Sequence, residues 1–292
     1  MRPELTGAAN GGAFALPASL GVCVVTHRSN PALLERTLAS LARAFENARS
    51  EGVLSRCRVL LVDNSAAPHA SALTRGIAEA TLKDVSGLAV ECRFLERNIG
   101  YGCANNIAIE SSQEDCFLTL NPDVEIEPAA LAIGVRALAG APEVALYAPF
   151  VTGPDGAPQR LCKSYPSVAA LFARGFLPRR LGQPLLGLLR PYELQLEAPT
   201  DSRHERFVVS GCFMLFRTAA LKRAGGFDPA FFLYFEDYDL SWRLSATERV
   251  GFLPEMRIVH HGGNASRKGP AHIWMFCRSA LRFFGKHGWR FA

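Results

Sequence analysis

Residues 20–45 read LGVCVVTHRSNPALLERTLASLARAF. The run Leu20–Thr26 is apolar without alternation and rich in valine, the mark of a strand buried on both faces of a parallel sheet. From Pro31 onward Leu33, Leu34, Thr37, Leu38, Leu41 and Phe45 recur three and four apart, which predicts an amphipathic helix. The same alternation continues downstream. Arg58–Val62 reads as a second strand ending at Asp63-Asn64-Ser65, and a helical stretch through Ile77 follows it. Leu88–Leu95 reads as a third strand and Asn105–Glu110 as the start of another helix. Cys116–Leu120 reads as a fourth strand, ending at Asn121-Pro122-Asp123. Four strands alternating with helices predict an α/β fold with a mostly parallel, doubly wound sheet.

Each of these strands stops at a polar cluster: Thr26-His27, Asp63-Asn64, Arg97-Asn98 and Asn121–Asp123. In open α/β sheets the ligand lies beyond the carboxyl ends of the strands, so these clusters predict where the site is. The second half is less regular. Phe207–Phe216 reads as one strand, followed by a helix closed by Gly225-Gly226, and Val250–Leu253 and Arg257–His260 read as two short strands. Residues 1–19, rich in Ala, Gly and Pro, read as a flexible leader. The expected organisation is this leader, a main domain over 20–265 divided near residue 125, and a basic, aromatic helical segment over 266–292.

The chain has 292 residues, 49% of them apolar and 20% charged, with net charge +5. That composition fits a globular protein with a substantial core. The charge is uneven, since no acid occurs between Gly156 and Tyr192 or after Glu255. In the tail, Ile273, Trp274, Phe276, Leu281, Phe283, Phe284 and Trp289 mix with Arg278, Arg282, Lys286 and Arg290. Such a tail suits either an anionic membrane surface or aromatic packing on the core beneath solvated charges. No nucleic-acid-binding motif accompanies the charge, so a nucleic-acid partner is not expected. The eight cysteines (23, 57, 92, 103, 116, 162, 212 and 277) form no CxxC pair, and they read as reduced thiols in a cytosol. The apolar runs are too short to span a bilayer, which predicts a cytoplasmic protein or one peripheral on the cytoplasmic face of the membrane.

Several residues carry candidate chemistry. Asn121-Pro-Asp123 at a strand end is either a turn or a ligand set for a hard cation, which takes oxygen donors. Glu236, Asp237 and Asp239 lie among Phe232, Tyr234, Phe235, Tyr238 and Trp242. Burial there would raise a carboxyl toward a usable base, while the alternative is a helix N-terminus with Asp239 paired to Arg243. Of His260 and His261, adjacent on a strand, at most one can face a site. Asp63 is either a helix cap or an acceptor for a base or ribose. Arg97–Gly102 lacks the third glycine of a dinucleotide loop, and no such loop follows the first strand, which argues against a Rossmann dehydrogenase.

In order and spacing, VVTHRSNPALLERTLASL, VDNSA, ERNIGYGCANN, LTLNPDVEI, SGCFMLFR, GGFDPAFFLYFEDYDLSWRL and VHHGGNASR resemble the family-two glycosyltransferases, in their rhamnosyltransferase-like branch. The resemblance runs from Val22 to about His287. It implies a GT-A fold, with the nucleotide bound by the first half and the acceptor by the second. It further implies inverting transfer from a nucleotide diphosphate sugar, dTDP-L-rhamnose in this branch, to a glycan or lipid-linked oligosaccharide acceptor. Thr26, Asp63 and Asn98 match nucleotide-binding positions. Asn121-Pro-Asp123 matches the metal motif with its first acid replaced, leaving Asp123 as the carboxylate for Mg²⁺ or Mn²⁺. Asp237 matches the catalytic base, and His260 matches a histidine of the metal and diphosphate site. Two segments depart from the family pattern: Lys163-Ser-Tyr-Pro-Ser replaces Arg-x-x-Pro-Ser, and Pro229 replaces an acid. A catalytically inactive nucleotide- or glycan-binding protein on this scaffold would be expected to lack Asp123, Asp237 or His260. A nucleotidyltransferase would need a glycine-rich loop where His27-Arg28-Ser29-Asn30 stands.

Overall fold

The computed structural model describes residues 13–171, 200–201, 207–262 and 269–291. Four parallel strands form the first half of its main sheet: β1 (Ala18–Thr26), β2 (Leu54–Asp63), β3 (Leu88–Phe94) and β4 (Cys116–Leu120). Helices α1 (Pro31–Ser50), α2 (Pro68–Leu82) and α3 (Tyr101–Ser111) connect them. Asn30 caps α1, its Oδ1 accepting from the N–H groups of Ala32 and Leu33, and Pro31 at the first position loses no hydrogen bond.

The second half adds β5 (Val124–Ile126), α4 (Ala130–Gly140), β6 (Val144–Thr152), β7 (Pro158–Gln159), β8 (Cys162–Lys163), β9 (Thr200–Asp201), β10 (Val208–Val209) and β11 (Phe213–Arg217). Helices α5 (Thr218–Arg223) and α6 (Glu236–Thr247), strand β12 (Arg249–His260) and helix α7 (Pro270–His287) complete it. The main sheet runs β3-β2-β1-β4-β11-β6-β12-β5. It is parallel through β4, after which β11 lies antiparallel to both β4 and β6. This is the α/β architecture expected, extended by a mixed second half.

β1 is buried along its whole length and serves two cores. Leu20, Val22 and Val24 pack with α1, α2 and α4 on one face, and Cys23 and Val25 pack with α3, α5 and α6 on the other. That explains the uninterrupted apolar run. β1 begins before Leu20, and Phe14 already packs against the first core, so the chain is ordered ahead of the expected boundary at residue 20. Residues 1–12 of the expected leader lie outside the described residues.

Two strand readings need correction. Phe207–Phe216 is not one strand. Val208–Val209 pairs with Cys162–Lys163, and after a break at Ser210–Cys212 the segment Phe213–Arg217 joins the main sheet. The break exists because the Gly211 N–H donates to the Asp237 carboxylate and not to a neighbouring strand. Conversely, Val250–Leu253 and Arg257–His260 belong to one strand, with Pro254–Met256 bulged out of its register with β6. Proline cannot donate to a ladder and therefore sits in the bulge.

The main sheet also buries Arg217 completely. Its guanidinium donates to the carbonyls of Leu138, Ala141 (3.0 Å) and Val144 (3.3 Å), capping the end of α4. All eight cysteines are free thiols, and burial pushes Cys162 up to about 12. Among the described residues no helix is long and apolar enough to cross a membrane.

Candidate active site

The carboxyl ends of β1, β2, β4 and β12 lie on one edge of the sheet. The antiparallel β11 starts on that edge.

Thr26 and Asp63 are register partners at the ends of β1 and β2. Asp63 is buried, and its carboxylate accepts from the Thr26 hydroxyl (3.2 Å), the Ser65 N–H (3.1 Å), and the hydroxyls of Ser65 (2.9 Å) and Ser71 (2.5 Å). Four donors fix the carboxylate, so Asp63 is a rigid acceptor joined to the start of α2. Next to it, the Asn64 amide donates to Asn98 Oδ1 (2.8 Å) and to the Gly100 carbonyl (3.2 Å), and its Oδ1 accepts from the Ile99 N–H (2.9 Å). Asn64 thus holds the Arg97–Gly102 loop against β2. Gly100 has φ +90, and a Cβ there would lie 2.4 Å from the Phe232 carbonyl oxygen, so only glycine fits. The sequence placed Asn64 in a polar cluster without giving it this role.

Asp123 follows β4, and His260 ends β12. Asp123 Oδ1 is buried, has no hydrogen-bond partner, and lies 3.5 Å from His260 Nε2. The tautomer of His260 follows from its neighbour. Gln159 Nε2 donates to the His260 carbonyl (3.0 Å), so Gln159 Oε1 accepts from Nδ1–H (2.9 Å) and Nε2 is left as an acceptor. A Cβ on Gly262 would fall 2.3 Å from Asp123 Oδ2 and 2.8 Å from His260 Nε2, so glycine keeps the space between them open. Two electron-pair donors aimed at one kept-open space, one of them otherwise an unsatisfied buried oxygen, fit a divalent cation. Among the described residues no third His, Cys, Asp or Glu joins them, which suits an ion completed by substrate phosphates. His261 turns the other way, to Glu125 Oε1 (2.7 Å), as strand alternation requires. The backbone N–H of Asn121 donates to the Cys212 carbonyl (2.9 Å), tying the motif to the loop before β11.

Asp237 stands in the first turn of α6. Tyr234 (φ 69) and Phe235 (φ 65) precede that turn in the left-handed region, at a cost of about 1–3 kcal/mol each. The chain thereby enters the helix abruptly, delivering Glu236 and Asp237 to the sheet edge. Asp237 Oδ2 accepts from the Gly211 N–H (2.7 Å), whose carbonyl accepts from the Tyr101 hydroxyl (3.1 Å). A side chain on Gly211 would put its Cβ 3.0 Å from that of Asp237. Burial raises the Asp237 carboxyl, while the Gly211 N–H and the Lys163 ammonium act in the opposite direction. Burial raises Glu236 well above the usual range, and the Asp237 charge adds to it. Because the Gly211 N–H is bonded to Asp237 and the next residue's carbonyl to the Asn121 N–H, the Ser210–Cys212 segment links Asp237 to the Asn121–Asp123 motif.

Asp239 has the structural role that was the alternative for this cluster. Fully buried, it pairs with Arg243 (2.7 Å), Lys286 (2.7 Å) and His287 (2.8 Å), locking α7 onto α6. Lys163, at the departure from the family pattern, is buried and donates to the Tyr238 hydroxyl (2.8 Å). Gln159 carries no sequence signal of its own, and Gly211 lies inside the SGCFMLFR motif without a role assigned to it there; the fold brings both to the site.

A family model described as glycosyl transferase family 2 matches residues 21–225. The N-acetylglucosaminyl-diphospho-decaprenol L-rhamnosyltransferase of Mycobacterium tuberculosis is 28% identical, over 92% of this chain and 86% of that protein. The rhamnosyltransferase WbbL of Escherichia coli K12 is 27% identical, over 64% of this chain and 70% of its own. Among solved structures, GalNAc-T7 with UDP, GalNAc and Mn²⁺ has a TM-score of 0.61 at 14% identity, covering 92% of this chain and 48% of that one. The mannosyltransferase PcManGT from Pyrobaculum calidifontis, with GDP-Man and Mn²⁺, has a TM-score of 0.55 at 15% identity, covering 98% and 80%. The architecture shared with these structures is the GT-A fold.

Proposed function

The chain belongs to glycosyl transferase family 2, and from that premise we propose that this glycosyltransferase moves a sugar, with inversion, from a nucleotide diphosphate donor to a hydroxyl of a glycan or lipid-linked saccharide. The product would enter a cell-surface polysaccharide. The donor we assign is dTDP-L-rhamnose, supported by the names of the mycobacterial and Escherichia coli relatives.

One observation carries the reading: Asp237, raised by burial, is oriented by the Gly211 N–H, and the adjoining Cys212 carbonyl holds the Asn121 N–H of the motif whose Asp123 lies 3.5 Å from His260. An acceptor hydroxyl is a weak nucleophile. As its oxygen bonds to the anomeric carbon, its proton passes to the Asp237 carboxylate and the bond to the nucleoside diphosphate breaks on the opposite face. A single displacement of this kind inverts the anomeric centre. Thr26, Asp63 and Asn98 would hold the nucleoside, and Asn121 would stand beside the diphosphate. Asp123 and His260 would hold Mg²⁺ or Mn²⁺, which supplies Lewis-acid stabilisation of the departing diphosphate.

A nucleotide-release assay on the full chain tests this, using a panel of nucleotide sugars and a short-chain N-acetylglucosaminyl-diphospho-lipid as acceptor. Acceptor-dependent release, greatest with dTDP-L-rhamnose, is expected. It should vanish in EDTA and return with Mn²⁺. Acceptor-independent release, or none with any donor, would overturn the transfer, and full activity in excess chelator would overturn the cation assignment.

A further inference from the structure

Helix α7 is apolar on two sides. Its inner side packs Phe276, Phe283 and Phe284 into a cluster with Phe231, Phe235 and Tyr238. The other side presents Ile273, Trp274 and Leu281, which are 42%, 62% and 60% exposed. Positions 273, 277 and 281 fall on one ridge by helical spacing, and Cys277 on that ridge is also exposed. Beyond the helix, Trp289 and Phe291 are 50% and 69% exposed. Single exposed apolar residues are ordinary, whereas an aligned set on one helix face marks an interaction surface.

Charge decides what that surface meets. The chain has no Asp or Glu after Glu255. The Arg278 guanidinium lies over the Trp274 ring at 5.4 Å, so cation and aromatic share one side of the helix. A second copy docking by the same face would bring together two surfaces that each carry Arg278 and no acid of this segment, which is repulsive. Tryptophan flanked by arginine is instead the composition of a helix lying in the headgroup layer of an anionic bilayer.

We propose that the outer face of α7 docks on an anionic phospholipid surface. The helix is bonded to the segment bearing Asp237 through Tyr234 to His272 (2.8 Å) and Asp239 to His287 (2.8 Å). Docking therefore holds that segment close to the surface where a lipid-linked acceptor resides. This consequence rests on the proposed transfer; the docking itself does not.

Flotation of the full chain with phosphatidylglycerol–phosphatidylcholine vesicles or pure phosphatidylcholine vesicles, at low and high salt and without donor, tests it. Binding to the anionic vesicles only, lost in high salt, is expected. A basic residue near an anionic surface strengthens binding by about fivefold, so Arg278→Glu should weaken binding by at least that factor. Trp274→Ser with Leu281→Ser should abolish it while leaving the melting curve intact, because both side chains are exposed. Equal recovery on neutral and anionic vesicles would overturn the proposal, as would a double variant that floats like the parent. So would a parent that fails to float while the double variant converts a dimer to a monomer in light scattering.

Discussion

Gly262→Ala probes the cation site with a single methyl group. The added Cβ would sit 2.3 Å from Asp123 Oδ2, whereas non-bonded heavy atoms settle at roughly 3.5 Å, so the carboxylate must retreat by about 1 Å. The backbone tolerates alanine, because Gly262 is not among the glycines with positive φ. The Asp123 side chain is 29% exposed and can swing outward, so folding stability should hold. The site should not hold, since a displacement of about 1 Å in a catalytic constellation costs on the order of 10²-fold. We expect kcat/KM for nucleotide release to fall by about that factor, half-saturation by Mn²⁺ to rise, and Tm to stay put. Gly285→Ala, whose Cβ meets nothing within 4 Å, is the control and should behave as the parent does. A Gly262→Ala protein with the parent's Mn²⁺ titration and turnover would refute the placement of a cation between Asp123 and His260.

Three other perturbations address the neighbouring groups. The Glu236 carboxyl is raised above its ordinary 4.5, so the fold keeps a proton that the unfolded chain has already released. That contribution is complete below pH 4.5 and is lost as pH rises, so Glu236→Gln should flatten the decline of urea-unfolding free energy between pH 5 and 8; an unchanged slope would count against it. Asp237 must be ionised to accept a proton and is raised from 3.8, so the acidic limb of kcat/KM should lie above the usual carboxylate range. Lys163→Met, which removes the opposing charge, should shift that limb to higher pH, and a limb that stays fixed would show that Lys163 does not act on the base. Asn64→Ala strips the Asn98 loop of its anchor, at about 1–3 kcal/mol. Tm should fall by a few degrees, and nucleotide affinity measured by calorimetry well below Tm should fall by about 10–100-fold; an unchanged affinity would detach that loop from nucleotide binding.

The sequence was most legible where one periodicity dominated. β1, β4 and the Val59–Asp63 end of β2 emerged because they are buried on both faces, leaving an uninterrupted apolar run, β3 because its burial alternates at the sheet edge, and α1 because its buried face recurs at helical spacing. The strand-end clusters fell together on one edge of the sheet, since parallel topology forces those ends together. Phe207–Phe216 misled because its break is made by a single hydrogen bond from Gly211 to a residue 26 positions later, which no local pattern encodes. The α6 acids held two roles at once: burial raises Asp237, while Asp239 forms the ion pairs of the competing reading. Gln159 could not be found in advance, because its significance, fixing the tautomer of His260, exists only once β7 has paired with β6 and brought the side chain to the end of β12.

The central claim, that Asp237 is the base of a sugar transfer, is tested most directly by single-turnover transfer in Asp237→Asn at saturating donor and Mn²⁺, with nucleotide affinity measured in parallel. The amide cannot accept the acceptor's proton, yet it still offers an oxygen to the Gly211 N–H. The account therefore predicts a rate lower by about 10²–10⁴-fold with nucleotide affinity nearly unchanged. A transfer rate close to that of the parent would contradict it.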